Sequence, residues 1–167
     1  MRWAEDWKVF EQELTKFTAN HGKIIFLCIG NDMRGDDSAG PLIAEKLEEL
    51  LKKNHDIIVI DTGTVPENYT GVVRQENPSH IIFVDAVEMN SKPGNIRLVN
   101  SDEIANYSIS THAMPLSFMI KYLGSFSNAK IILIGIQPKS LEMSDNISLE
   151  VLNGIENLVN ILKNIFS

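Results

Sequence analysis

One cysteine, Cys28, stands in a chain of 167 residues. That count excludes an intramolecular disulfide and fits a reducing compartment. Cationic residues are also scarce: 15 lysines and arginines face 22 aspartates and glutamates, for a net charge of −7. This balance argues against a nucleic-acid partner held by its phosphates. No apolar run approaches ~18 residues, so no membrane insertion is expected. The N-terminus interleaves Glu5, Asp6, Glu11 and Glu13 with aromatics, the wrong pattern for a secretory leader. The cytoplasm is the expected compartment. Several catalytic signatures are missing too: there is no Walker A loop, no Gly-x-Ser-x-Gly elbow, and no cysteine–histidine arrangement suited to nucleophilic catalysis. Cys28 lies inside an apolar run and reads as a buried core thiol.

What is present alternates. Five short apolar, β-branched runs read as strands, over 24–29, 56–60, 81–84, 95–99 and 130–135. Between them lie helical patterns over 42–53, 68–76, 115–123 and 148–165. Pro41 and Pro115 suit first helical positions, and Ser148 suits an N-cap. The run at 95–99 follows the turn signal Asn90-Ser-Lys-Pro-Gly94 closely and is expected to pair antiparallel or sit at an edge. The pattern predicts a three-layer αβα sandwich around a mostly parallel, twisted five-stranded sheet with one antiparallel strand. The length suits a single domain over 1–167. Ahead of the first strand, Trp3, Trp7, Phe10, Leu14 and Phe17 recur at steps of four and three. They form one stripe on an amphipathic helix within 1–20, which either packs on the domain or docks a partner chain. His21, His55 and His80 precede strands and are expected to face solvent.

The densest information lies in Gly30-Asn-Asp-Met-Arg-Gly-Asp-Asp-Ser-Ala-Gly-Pro41, a glycine loop between the first strand and the first long helix. Such loops often hold phosphate on bare backbone N–H groups. This one carries Asp32, Asp36 and Asp37, which would repel a pyrophosphate and instead suit a divalent cation or proton transfer. In a parallel sheet all carboxyl ends share one edge, so Asp36, Asp37, Asp61 and Asp85 are expected to converge there with His112. Two carboxylates and one imidazole make a metal site with open positions, suited to Zn(II), Ni(II) or Mn(II). Asn31, Glu67, Glu88 and Gln137 lie close to the same edge as supporting groups. Each has a plainer reading: an aspartate at a helix start complements the helix dipole, and a lone histidine often sits in a core or a cap. Asp61-Thr-Gly-Thr64 matches the signature of pepsin-like proteases, but those are almost entirely β and need two facing copies. One copy in an alternating chain excludes that fold.

Taken together, Gly30–Pro41, Asp61-Thr-Gly-Thr-Val-Pro-Glu-Asn68, Val84-Asp-Ala86, Thr111-His-Ala-Met-Pro-Leu116 and Gly135-Ile-Gln-Pro138 resemble the maturation endopeptidases of [NiFe] hydrogenases. The last two segments look most like the branch serving formate-hydrogenlyase and energy-converting hydrogenases. The likeness spans a protease domain over 23–167 and leaves the N-terminal helix outside. It implies an endopeptidase, aspartic-type by family grouping, that removes the C-terminal extension of the hydrogenase large-subunit precursor after nickel insertion. By motif position it implies Asp37, Asp85 and His112 as nickel contacts and Asp61 as a further catalytic carboxylate. The nickel would arrive with the precursor, and another divalent metal could replace it in crystals. Two other readings remain at this stage: a non-catalytic nickel-binding or docking protein of hydrogenase assembly, and a nucleotide-binding domain.

Overall fold

The computed structural model describes residues 7–109, 115–142 and 146–167. Its centre is β1 (Ile24–Ile29), whose six residues are all buried. An unbroken apolar run of this kind is what a strand covered on both faces requires. Around it stand β2 (Ile57–Gly63), β3 (His80–Glu88), β4 (Ile96–Asn100) and β6 (Lys130–Ile136), in the order β2-β1-β3-β6-β4. All pairings in that row are parallel except β4 on β6, which is antiparallel at the sheet edge. The five-stranded, mostly parallel sheet expected from the sequence is thus present, with its one reversed strand in the expected place. A two-residue strand, β5 (Ser108–Ile109), was not expected; it pairs antiparallel with the far end of β3.

Helices cover both faces. On one, α1 (Trp7–Phe17), α2 (Ala39–Leu51) and α5 (Leu149–Phe166) bury Phe10, Leu14, Ile43, Leu47, Ile155 and Leu158 against Ile24, Phe26 and Cys28. On the other, α3 (Thr70–Glu76) and α4 (Leu116–Gly124) bury Val73, Leu116, Met119 and Leu123 against Ile25, Leu27 and Ile29. Alternate residues of β1 therefore feed opposite cores, as the period of a strand requires.

The starts of α2 and α3 differ from expectation by two or three residues, while Ser148 caps α5 as expected. A 3-10 turn over Gly35–Ser38 runs straight into α2, so that helix begins at Ala39 and Pro41 is its third residue. The expected helix over 68–76 opens with a 3-10 turn at Pro66–Tyr69. Pro115 caps α4 from outside, with ψ of 133°. Ser148 is the N-cap of α5, accepting a hydrogen bond from Val151 N at 3.3 Å.

The N-terminal stripe packs on the domain where it is described. Phe10 and Leu14 are buried, and Trp7 and Phe17 pack against the same core; Trp3 lies outside the described residues. One histidine expectation fails. His80 is buried rather than solvent-facing, because α1 lies across the start of β3. Its Nε2 donates to the Phe17 carbonyl at 2.9 Å, and its Nδ1 lies 2.7 Å from the Ser79 hydroxyl. His55 is exposed and His21 is half-buried.

Candidate active site

The glycine loop closes on itself. Gly30 N donates to Gly63 O at 3.0 Å, which joins the ends of β1 and β2. Asn31 N donates to Asp37 O at 3.0 Å, and Asp37 N donates to Arg34 O at 2.9 Å. The Asn31 side chain accepts from Met33 N at 2.9 Å. A Cβ on Gly30 would collide with the Asp37 carbonyl, and one on Gly40 with the Ile29 carbonyl. These two glycines let the turn and the start of α2 press against the end of β1.

Neighbouring aspartates in this turn have different surroundings. Asp36 is buried and accepts from Lys139 N at 2.7 Å, Ser140 N at 3.4 Å, Ser148 N at 2.7 Å and Ser148 Oγ at 2.9 Å. Arg34 adds an Nε bond to Leu141 O at 3.0 Å. The loop after β1 thereby grips both ends of the chain that connects β6 to α5. Sequence reasoning placed Asp36 beside a metal and read Ser148 only as a cap. The grip on residues 139–148 is long-range, and no local pattern announces it.

Asp37 is fully buried, in a turn that packs against β3. Asp85 is fully buried on β3 itself, aligned with Gly135 of β6. Val84 packs with Cys28 in the α2 core, while Phe83 and Val87 belong to the other core. Asp85 shares their parity and so points toward the α3–α4 face. Asp61 aligns with Cys28, which also aligns with Val84. Neighbouring strands being about 4.8 Å apart, Asp61 and Asp85 stand about 10 Å apart across β1. Asp61 is exposed, lines a cleft beside α2, and accepts from Gly63 N at 3.0 Å. The carboxyl edge therefore gathers Asp37, Asp61 and Asp85, with Asp61 on the opposite face from Asp85.

Cys28 registers these charges. Burial pushes its thiol well up, and the negative charges of Asp61, Glu48 and Asp85 push it further. A thiol held protonated in this way is neither nucleophile nor metal ligand.

The supporting residues divide. Gln137 is buried; its Oε1 accepts from Met89 N at 2.7 Å, and its Nε2 donates to Glu88 Oε2 at 2.9 Å. These bonds stitch the end of β6 to the end of β3. Glu88 itself is exposed. Glu67 is half-buried in the turn before α3. His112 lies outside the described residues. Among the described residues, no three histidine, cysteine, aspartate or glutamate side chains form a group that could hold a metal ion. No described helix is long and apolar enough to cross a membrane.

Comparison with known proteins agrees with this fold. A family model described as hydrogenase maturation protease matches residues 41–165. The hydrogenase 3 maturation protease of Escherichia coli is 43% identical over 115 residues, covering 68% of this chain and 72% of that protein. The crystal structure of a [NiFe] hydrogenase maturation protease HycI from Thermococcus kodakarensis superposes with a TM-score of 0.84 at 30% identity, covering 92% of this chain and 98% of that one. The solution structure of the endopeptidase HycI from Escherichia coli gives 0.74 at 34% identity, covering 85% and 90%. With a family match over three quarters of the chain and a relative 43% identical over two thirds of it, the chain belongs to the hydrogenase maturation protease family and is an endopeptidase.

Proposed function

We propose that this chain removes the C-terminal extension of a [NiFe] hydrogenase large-subunit precursor after nickel insertion, and that Asp37, Asp85 and His112 meet the nickel the precursor carries. The observation behind this reading is the pair of fully buried carboxylates, Asp37 and Asp85, on a turn and a strand that pack together at the sheet's carboxyl edge. Oxygen donors on two elements that pack together are the kind of ligands a divalent cation takes. Two carboxylates and an imidazole leave coordination positions open. That suits an ion arriving with ligands of its own rather than one held permanently.

The nickel then acts on specificity. A precursor lacking the ion lacks the bridge, and the loaded precursor has its scissile bond fixed in one place, which is an orientation effect. Hydrolysis needs a proton acceptor for the attacking water. Asp36 is committed to four donors, which leaves Asp61, exposed at the same edge though on the other sheet face, or an unligated oxygen of Asp37 or Asp85 for that task. A general base of this kind supplies ~10²–10⁴-fold.

The test is incubation with nickel-loaded and nickel-free precursors, read by intact mass. Release of the C-terminal fragment is expected from the loaded form alone. Asp85→Asn and His112→Ala each lower the rate by about 100-fold or more. Unchanged cleavage by either variant overturns the assignment.

A further inference from the structure

The free side of β2 runs directly into this edge. β2 is the terminal strand of the sheet, and among the described residues no strand pairs with its outer side. Asp56 O accepts from Ile24 N at 2.8 Å, so the main-chain groups of residue 56 face β1. Main-chain groups alternate along a strand. Those of Ile58 and Ile60 therefore also face β1, and those of Ile57, Val59 and Asp61 face outward. An outward row of this kind is a template for a further strand.

A groove follows the same stretch. Val59 and Ile57 share a cleft of about 270 Å³ with Leu51, Lys52 and His55 of the α2 side. Asp61 lines a second cleft of about 420 Å³ with Asp32, Glu45, Pro41 and Leu42. Glu48 lines both, so the two run on from one another along α2. The cleft at the site end carries four carboxylates, Asp32, Glu45, Glu48 and Asp61, and no cationic residue. At the far end, Lys52 is paired with Glu49 at 2.8 Å.

We infer that the outer edge of β2 takes an extended peptide as an added strand, and that a basic side chain of that peptide lies in the acidic groove beside α2. Building on the processing reaction proposed above, the occupant is the client segment next to the scissile bond, delivered to Asp61 by main-chain pairing at Val59. Main-chain hydrogen bonds would supply affinity, and alternate side chains would enter the groove. Charge complementarity selects a basic segment over an acidic one, and its contribution falls as salt screens it.

The probes are fluorescein-labelled peptides of roughly ten residues alternating lysine and valine. They are compared with a glutamate–valine version and with two lysine–valine versions N-methylated on alternate amides, one for each phase. Binding is read by anisotropy and by the amide shift of Val59, so no cleavage is required. The lysine peptide is expected to bind at least tenfold tighter than the glutamate peptide and to shift the Val59 amide. One N-methyl phase should lose about tenfold and the other little. Val59→Pro removes an outward N–H without touching the β1 ladder and should lose a similar factor. Glu45→Gln with Glu48→Gln should weaken the lysine peptide about tenfold at low salt, and raise KM for precursor with kcat unchanged.

Equal affinity of both N-methyl phases and the parent, or of lysine and glutamate peptides, overturns the inference on the unaltered protein, whatever the variants' folding. Peptide binding at Val59 by a chain that leaves loaded precursor uncut keeps the added strand and overturns the processing reaction.

Discussion

The two edges of this sheet use polar residues differently. At the amino edge His80 sits between Ser79 and the Phe17 carbonyl, Ser79 Oγ accepts from Gly22 N at 2.9 Å, and Lys23 meets Glu76 at 2.6 Å. These groups close on one another and fasten α1 and α3 to the strand starts. At the carboxyl edge the polar residues divide. Asp36 and Gln137 fasten loops, while Asp32 and Asp61 remain exposed and Met33 is 66% exposed. One apolar frame thus ends in a closed rim at one edge and a partly open one at the other. That asymmetry is expected of an α/β sheet, whose sites form outside the strands' carboxyl ends.

The comparison breaks most visibly at Asp36, the closed member of the open edge. Asp36→Ala removes a buried acceptor from three main-chain donors and a hydroxyl, whose bonds to it are themselves partly buried. A cost of about 3 kcal/mol is expected, since hydrogen bonds to a charged group contribute about 1.5–3 kcal/mol each and the orphaned donors add to the loss. The measurement is urea unfolding, with a lower midpoint at unchanged slope. Asp36→Asn keeps one acceptor oxygen and should cost less. A loss below about 0.5 kcal/mol for the alanine variant would mean that the carboxyl edge is not fastened through this side chain.

At the amino edge the corresponding group titrates. Burial pushes the His80 pKa down; the Phe17 carbonyl opposes that, while the charges of Lys130 and His21 assist it. The folded pKa lies below that of the unfolded chain, so on acidification the unfolded state takes up its proton first. Stability therefore falls as pH drops below the unfolded value of about 6.5, and levels off once the lowered folded pKa is passed. His80→Gln stays neutral and can still donate to the Phe17 carbonyl. Its unfolding midpoint should vary less between pH 7 and pH 5.5 than that of the unaltered protein. An identical pH slope in both would show that His80 does not control the latch on α1.

The frame was largely legible because each strand is a compact apolar run with local punctuation. Ile24–Ile29 declares a doubly covered strand by composition alone, and Asn90–Gly94 announces the reversed β4. What escaped depends on contacts between distant segments. His80 looks like a polar residue ahead of a strand until α1, more than sixty residues earlier, covers it. Asp36 and Asp37 are adjacent and chemically identical. Only the fold separates the one that accepts from residues 139–148 from its fully buried neighbour, in a turn that packs against β3. Asp61 and Asp85 both end apolar runs, yet strand parity sends them to opposite faces. Carboxylates at the sheet edge could be read from the chain, but which of them share a face could not.

The smallest expected effect separates ion pairing from burial at the closed edge. Lys23 reaches Glu76 at 2.6 Å, but both side chains keep about a third of their surface exposed. An exposed pair of this kind holds two flexible side chains in a screened medium, and typical values are 0.2–1 kcal/mol. Lys23→Ala should therefore cost about 0.5 kcal/mol at low salt and less near 1 M salt, where the Debye length shrinks to about 3 Å. Asp36 should respond less to the same salt series, because its carboxylate is itself buried and its partners are neutral main-chain and hydroxyl donors rather than a mobile ion pair. If the Lys23 penalty persists at high salt, the contact contributes by packing its stem between β1 and α3 rather than by charge. In that case the closed rim would be held by apolar fit, with its hydrogen bonds setting direction more than strength.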